Sequence, residues 1–168
     1  MNQINIRPVT LAYAGQIAEI YNFYILNTHH TFETEPICVE EMQKRIGEII
    51  KNYPYFVGEE NGEILAYAHA EPYKSRCAYR STVEVSVYVK NGVKGKGIGT
   101  KLYEKLFEEL EQTDVHAMIA GIALPNDASI KLHEKFGFEK VAHFREVGFK
   151  FYKWIDVGYW ELINQQKS

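Results

Sequence analysis

Residues 81–90, STVEVSVYVK, run without a break into a glycine-rich turn, NGVKGKGIG (91–99), and then into a segment with Ile98, Leu102, Leu106 and Leu110 at four-residue steps. The valines at 83, 85, 87 and 89 alternate, the period of a strand, and β-branched side chains suit a pleated surface. The leucine stripe has the period of a helix. A strand feeding a glycine turn that opens a helix belongs to α/β architecture, so the remaining segments are read around that unit.

Upstream, INIRPV (4–9) reads as a strand. Thr10 is placed to cap a helix carrying Ile17, Ile20, Tyr21, Tyr24 and Ile25. After the polar stretch 29–36, a second helix is predicted from Val39 to Ile50, with Met42, Ile46, Ile49 and Ile50 on one side. YFVGE (55–59) and EILAYAHAE (63–71) flank Asn61-Gly62, a strong hairpin signal. Downstream, MIAGIAL (118–124) is a strand, and Asn126 can cap a helix with Ile130, Leu132 and Phe136 that ends at Gly137. Two strands, 138–147 and 149–163, close the chain. The order β-α-α-β-β-β-α-β-α-β-β describes a mixed, twisted sheet flanked by helices. With 168 residues, 46% of them hydrophobic, and no linker or repeat, residues 1–168 are expected to form a single α/β domain.

Charge and composition exclude several classes of function. The net charge of −3 argues against a nucleic-acid-binding domain. No apolar run reaches the ~18–20 residues needed to span a bilayer. The first residues, MNQINIRPVTL, carry no secretion-signal pattern. Cys38 and Cys77 stand far apart in no paired motif and read as reduced thiols, which places the chain in the cytoplasm. The six histidines show no zinc-site spacing, so no metal is expected.

The segment 90–101 holds four lysines and no acid. Glycines let backbone N–H groups approach a ligand, and a helix N-terminus adds roughly half a positive charge, a combination that suits phosphate or pyrophosphate. An ordinary strand-to-helix turn with solvated lysines fits the same residues. The spacing does not make a Walker A loop, and the third glycine comes one place early for a dinucleotide fingerprint.

Lys94-Gly95-Lys96-Gly97-Ile98-Gly99 does resemble the acetyl-CoA pyrophosphate loop of the GNAT N-acetyltransferase superfamily, written [RQ]-x-x-G-x-[GA], with lysine in place of the first Arg or Gln. Leu132-His133-Glu134-Lys135-Phe136-Gly137-Phe138 extends that likeness. Five further blocks are similar to the phosphinothricin and methionine sulfoximine N-acetyltransferase branch: 32–36 (FETEP), 74–79 (KSRCAY), 82–89 (TVEVSVYV), 124–130 (LPNDASI) and 154–160 (WIDVGYW). Met42 departs from it, standing where that branch often carries tryptophan.

Roles follow from the residues and the resemblance together. Transfer to an amine needs a base, because amino groups are mostly protonated at neutral pH. Glu84, flanked by valines on a strand, suits that task if buried, whereas the residues alone also fit a structural bridge to Arg76 or Arg80. The resemblance implies that Glu84 is the base and His133 a proton donor or relay. By itself, His133 equally reads as a packing residue. The resemblance further implies that the backbone of Val87, Tyr88 and Val89 holds the pantetheine arm and acyl carbonyl. It assigns Lys94 to Thr100 to the pyrophosphate, including Lys96, Gly97, Ile98 and Gly99. Asn126 then bonds the arm as well as capping its helix. Lys74, Arg76 and Tyr79 line the acceptor site, cations that suit an amino acid carboxylate. Phe32 walls it or covers the core.

The expected activity is direct acetyl transfer from acetyl-CoA, as co-substrate, to the α-amino group of a phosphinothricin-, methionine sulfoximine- or methionine sulfone-like acceptor, in detoxification, by a homodimer. Two alternatives remain at this point. One is acetylation of another amine, such as a polyamine, an aminoglycoside or a protein N-terminus. The other is an acetyl-CoA sensor without catalysis.

Overall fold

Seven strands share one sheet in the hydrogen-bonded order β1-β2-β3-β4-β5-β7-β6 in the computed structural model, which describes residues 4–93 and 96–164. The strands are β1 (Asn5–Pro8), β2 (Tyr55–Glu60), β3 (Glu63–Pro72), β4 (Thr82–Val89), β5 (Ala117–Ala123), β6 (Glu139–Lys150) and β7 (Lys153–Ile163). The helices are α1 (Ala14–Asn27), α2 (Val39–Ile49), α3 (Ile98–Glu111) and α4 (Asp127–Lys135). This is the mixed, mostly antiparallel architecture expected from the sequence. Among the described residues, no helix is long and apolar enough to cross a membrane.

Contacts divide the chain into two compact units. The first comprises Met1–Phe23, Ile37–Glu71 and Val85–Thr113; the second comprises Tyr24–Pro36, Pro72–Glu84 and Asp114–Ser168.

In the first unit, β1, β2 and β3 form an antiparallel meander. Its hairpin turns through Asn61 and Gly62, both at positive φ (55° and 85°), as a primed two-residue turn requires. α3 buries Ile98, Leu102, Leu106 and Leu110, the stripe read from the sequence. Its first turn sits against β2 because Gly58 has no side chain: a Cβ there would lie 2.7 Å from Ile98 Cδ1. α2 buries Met42 and Ile46, whereas Ile50 lies beyond the helix end and is exposed. Met42, the departure from the branch pattern, is therefore a packing residue. Thr10 makes no side-chain cap, and a short 3-10 turn, Leu11–Tyr13, leads into α1 instead.

In the second unit, β5 pairs in parallel with the start of β4, from Thr82↔Ala117 to Glu84↔Ile119, and antiparallel with β7. β6 runs through Gly148 to Lys150, beyond the expected end at 147. The hairpin turns instead at Phe151 and Tyr152, with φ of 50° and 58°. The lack of a side chain at Gly148 serves a close approach: a Cβ there would lie 2.2 Å from the Phe32 ring. Asn126 caps α4, its Oδ1 accepting from Ser129 N–H at 3.2 Å, and Gly137 ends that helix at φ 87°.

Candidate active site

The glycine-loop helix belongs to the first unit. Its N-cap is Gly97 in the left-handed region (φ 63°), a conformation glycine adopts without steric penalty. Gly97 has no side chain to cap the first-turn N–H groups, and that turn holds no acid. The positive end of the helix dipole therefore faces no opposing carboxylate from its own turn, and the residues present fit an anionic group. Lys94 and Gly95 lie outside the described residues. The loop's positive charge is smaller than its sequence suggests. Lys96 Nζ donates to Glu60 Oε2 at 2.7 Å, and Lys90 pairs with Glu63. Both ends of the turn are thus tied to the β2–β3 hairpin, a pairing the sequence could not reveal because 36 and 27 residues separate the partners.

On β4, the Tyr88 ring stacks on Tyr67 (centroids 5.4 Å apart) and meets Tyr21 edge-on at 5.3 Å. Its ring is thereby packed between two other tyrosines.

The second unit gathers most of the titratable candidates. Glu84 is half-buried, between buried Val83 and Val85 in sequence. Its Oε1 lies 3.3 Å from the point a Cβ on Gly121 would occupy, and Tyr159 Cε1 lies 3.2 Å from the same point. Gly121 pairs with Tyr159 in the β5–β7 register, so the missing side chain leaves room for both groups. Burial, then the nearby Glu84 carboxylate and Tyr73, push the Tyr159 phenol above its ordinary value, with Lys74 opposing. Tyr159 therefore remains a neutral phenol at physiological pH. Phe144 meets the Tyr159 ring edge-on at 5.5 Å.

The basic loop is partly ordered by rings. Lys74 Nζ lies 4.9 Å from the Tyr73 ring centroid and 5.6 Å from that of Tyr79, and the two rings meet edge-on at 5.7 Å. Tyr73 N–H donates to the Thr82 carbonyl at 3.3 Å, which fixes the loop to the start of β4. Lys74, Tyr79 and Tyr73 therefore form one cluster, and Arg76 is exposed at the head of the Cys77–Tyr79 turn. Gly121, Tyr159 and Tyr73 escaped the sequence reading. A glycine inside the apolar strand MIAGIAL was the available signal for the first of them.

His133 is the buried residue of α4, at 3% exposure. Its Nδ1 lies 2.8 Å from the Ser129 carbonyl oxygen. A carbonyl only accepts, so Nδ1 carries the proton and the neutral ring keeps its lone pair on Nε2. Burial lowers the imidazole pKa below 6.5, partly offset by the Ser129 bond. At neutral pH this ring accepts a proton before it can donate one from Nε2. Phe32 stands with its ring on Gly148 of β6. Among the described residues, no group of three His, Cys, Asp or Glu side chains is arranged to hold a metal.

The acetyltransferase (GNAT) domain profile matches residues 6–158. A phosphinothricin N-acetyltransferase from Streptomyces coelicolor is 40% identical, over 95% of this chain and 95% of its own length. An L-methionine sulfoximine/L-methionine sulfone acetyltransferase from Salmonella typhimurium is 36% identical over 95% and 94%. The crystal structure of a GNAT superfamily phosphinothricin acetyltransferase from Sinorhizobium meliloti, in complex with acetyl-CoA, superposes with a TM-score of 0.91 at 34% identity, covering 95% of this chain and 88% of the other. On domain match, identity and fold together, this chain belongs to the GNAT acetyltransferase family.

Proposed function

We propose that this protein is an acetyl-CoA-dependent N-acetyltransferase for the α-amino group of small amino-acid-like acceptors of the phosphinothricin, methionine sulfoximine and methionine sulfone class. The observation that carries the reading is the Glu84 carboxylate, lodged over Gly121 beside Tyr159, in the unit that also holds the Lys74–Tyr73–Tyr79 cluster. The relatives' activities support the acceptor class, and the family profile over 6–158 supports reading the chain as one domain.

Acetyl-CoA, when bound, supplies the activated acyl group. The backbone of Gly97, Ile98, Gly99 and Thr100 would hold its diphosphate, with the Lys96 ammonium beside them. Val87, Tyr88 and Val89 offer main-chain groups to the arm and to the carbonyl oxygen as negative charge builds there. The Asn126 Oδ1 accepts from the Ser129 N–H, and its Nδ2 serves as a donor for the arm. Glu84 takes the proton from the acceptor's ammonium, freeing the nitrogen lone pair that forms the C–N bond as the C–S bond breaks. His133 relays a proton: Nε2 accepts the second proton lost by the acceptor nitrogen once the C–N bond has formed, and then yields it to the departing thiolate. Lys74 and Arg76 hold the acceptor's carboxylate, and Tyr79 and Phe32 flank its side chain.

The protein acts in the cytoplasm, in detoxification of unusual amino acids. Two exposed, unpaired thiols, Cys38 and Cys77, support a reducing compartment. It works as a homodimer whose second copy covers the apolar β6–β7 hairpin, where Phe149, Phe151, Tyr152 and Trp154 are exposed.

A thiol-release assay with acetyl-CoA tests this reading. Methionine sulfoximine, methionine sulfone and phosphinothricin should give far higher kcat/KM than spermidine. Glu84→Gln should lower kcat by ~10²-fold or more and leave acetyl-CoA binding intact. Near-normal turnover in that variant removes Glu84 from the mechanism. Thermal stabilisation by acetyl-CoA without thiol release to any amine would make the protein a sensor instead.

A further inference from the structure

The segment 28–36, between α1 and α2, has no helix or strand of its own, yet it carries Phe32. Its shape is set by ties within the second unit. The Thr28 hydroxyl donates to the Tyr24 carbonyl at 2.9 Å, and His30 N–H donates to Thr28 Oγ1 at 3.2 Å. His29 Nε2–H donates to the Pro125 carbonyl at 3.0 Å. On the other side, Lys150 Nζ donates to the Thr31 carbonyl at 2.7 Å, while the Phe32 ring rests on Gly148. Positions 148 and 150 lie two apart on one strand, so a single stretch of β6 holds two consecutive loop residues.

Lys150 is unusual for its type. It is 5% exposed, its ammonium lies 5.2 Å from the Phe151 ring centroid, and no carboxylate forms an ion pair with it among the described residues. A buried cation without a counter-ion is a poor way to stabilise a fold, since desolvation opposes it. An apolar side chain of similar length would suit packing better. What an ammonium supplies there is a directed hydrogen bond to one main-chain oxygen, and that oxygen belongs to the residue before Phe32.

We propose that Lys150 is a positioning residue for the acceptor: its bond to the Thr31 carbonyl seats the Phe32 ring on Gly148 and so fixes the wall against which the acceptor's side chain lies. This rests on the reading of Phe32 as part of the acceptor site. The influence of Lys150 on the reaction passes through Phe32.

Steady-state kinetics with acetyl-CoA and methionine sulfoximine test the proposal in Lys150→Met, Gly148→Ala, Phe32→Ala and the Lys150→Met/Phe32→Ala double variant. Gly148→Ala displaces the ring by sterics alone and answers the question if Lys150→Met does not fold. Lys150→Met and Gly148→Ala should each raise the acceptor KM about tenfold, with kcat and the KM for acetyl-CoA within about threefold of the parent. The double variant should be no worse than Phe32→Ala, because both changes remove one effect. The proposal fails if Phe32→Ala raises the acceptor KM while folded Lys150→Met does not, or, where Lys150→Met does not fold, while Gly148→Ala does not. It also fails if the double variant's loss equals the product of the single losses, or if kcat falls with KM unchanged. A Phe32→Ala variant with the parent's acceptor KM would overturn the wall reading itself and this inference with it.

Discussion

His133 shows how much one main-chain contact determines. The Ser129 carbonyl fixes the ring's tautomer, and burial keeps the ring neutral. The pKa of His30, half-buried beside His29 and Lys150, is lowered from 6.5 as well, first by desolvation and then by electrostatic interaction with those two side chains. Both groups bind a proton more readily in the unfolded chain. Their contribution to stability is therefore complete above pH 6.5 and is lost as the pH falls below it. Thermal melts at stepped pH should show the midpoint dropping below pH 6.5, and His133→Gln should flatten part of that slope while His30 keeps the rest. A slope unchanged in the variant would show that His133 plays no part in it. The half-buried place of Glu84 on its strand was legible because a carboxylate among alternating valines is conspicuous, and the capping role of Asn126 because a cap residue precedes an apolar helix. Lys150 was not legible: in a sequence it is one more charged residue near a hairpin, and only the approach of Thr31, 119 positions away, gives it a task.

Elements were read well where one periodicity dominated. The stripe from Ile98 to Leu110 and the Asn61-Gly62 hairpin lie where residue pattern and turn chemistry agree. The last hairpin was misplaced because its chemistry is inverted: a glycine stands inside the strand, while Phe151 and Tyr152 occupy the left-handed turn positions. Bulky residues at positive φ are strained, and a primed turn prefers Asn-Gly. Replacing Phe151-Tyr152 by Asn-Gly should therefore stabilise the isolated chain by about 1 kcal/mol or more, read by urea unfolding at low protein concentration. A loss of stability would mean that the two rings contribute more to this chain than their turn strain removes.

At the scale of the whole molecule, the exposed aromatic hairpin is the feature to account for. Tyr152 is 95% exposed and Trp154 63%, and Phe149 packs against Trp154 with centroids 4.8 Å apart. Strain retained at a tip that offers its rings to solvent is explained when a second copy covers them. Sedimentation velocity should show a dimer for the parent protein and a monomer for Trp154→Glu, which brings a charge into the proposed interface. A parent protein that sediments as a monomer at micromolar concentration would refute the dimer. Nothing in the sequence pattern alone located this surface, since aromatic residues in strands read equally well as core.

The two lysine–glutamate pairs that fasten Lys90 and Lys96 to a single hairpin carry an evolutionary corollary. Surface turns ordinarily drift in length, because an extra residue bulges into water at little penalty. Between these two anchors the spacing is set by a neighbouring structure, so gaining or losing one residue would detach a clasp and rotate the helix start away from its seat over Gly58. Indels there should be purged.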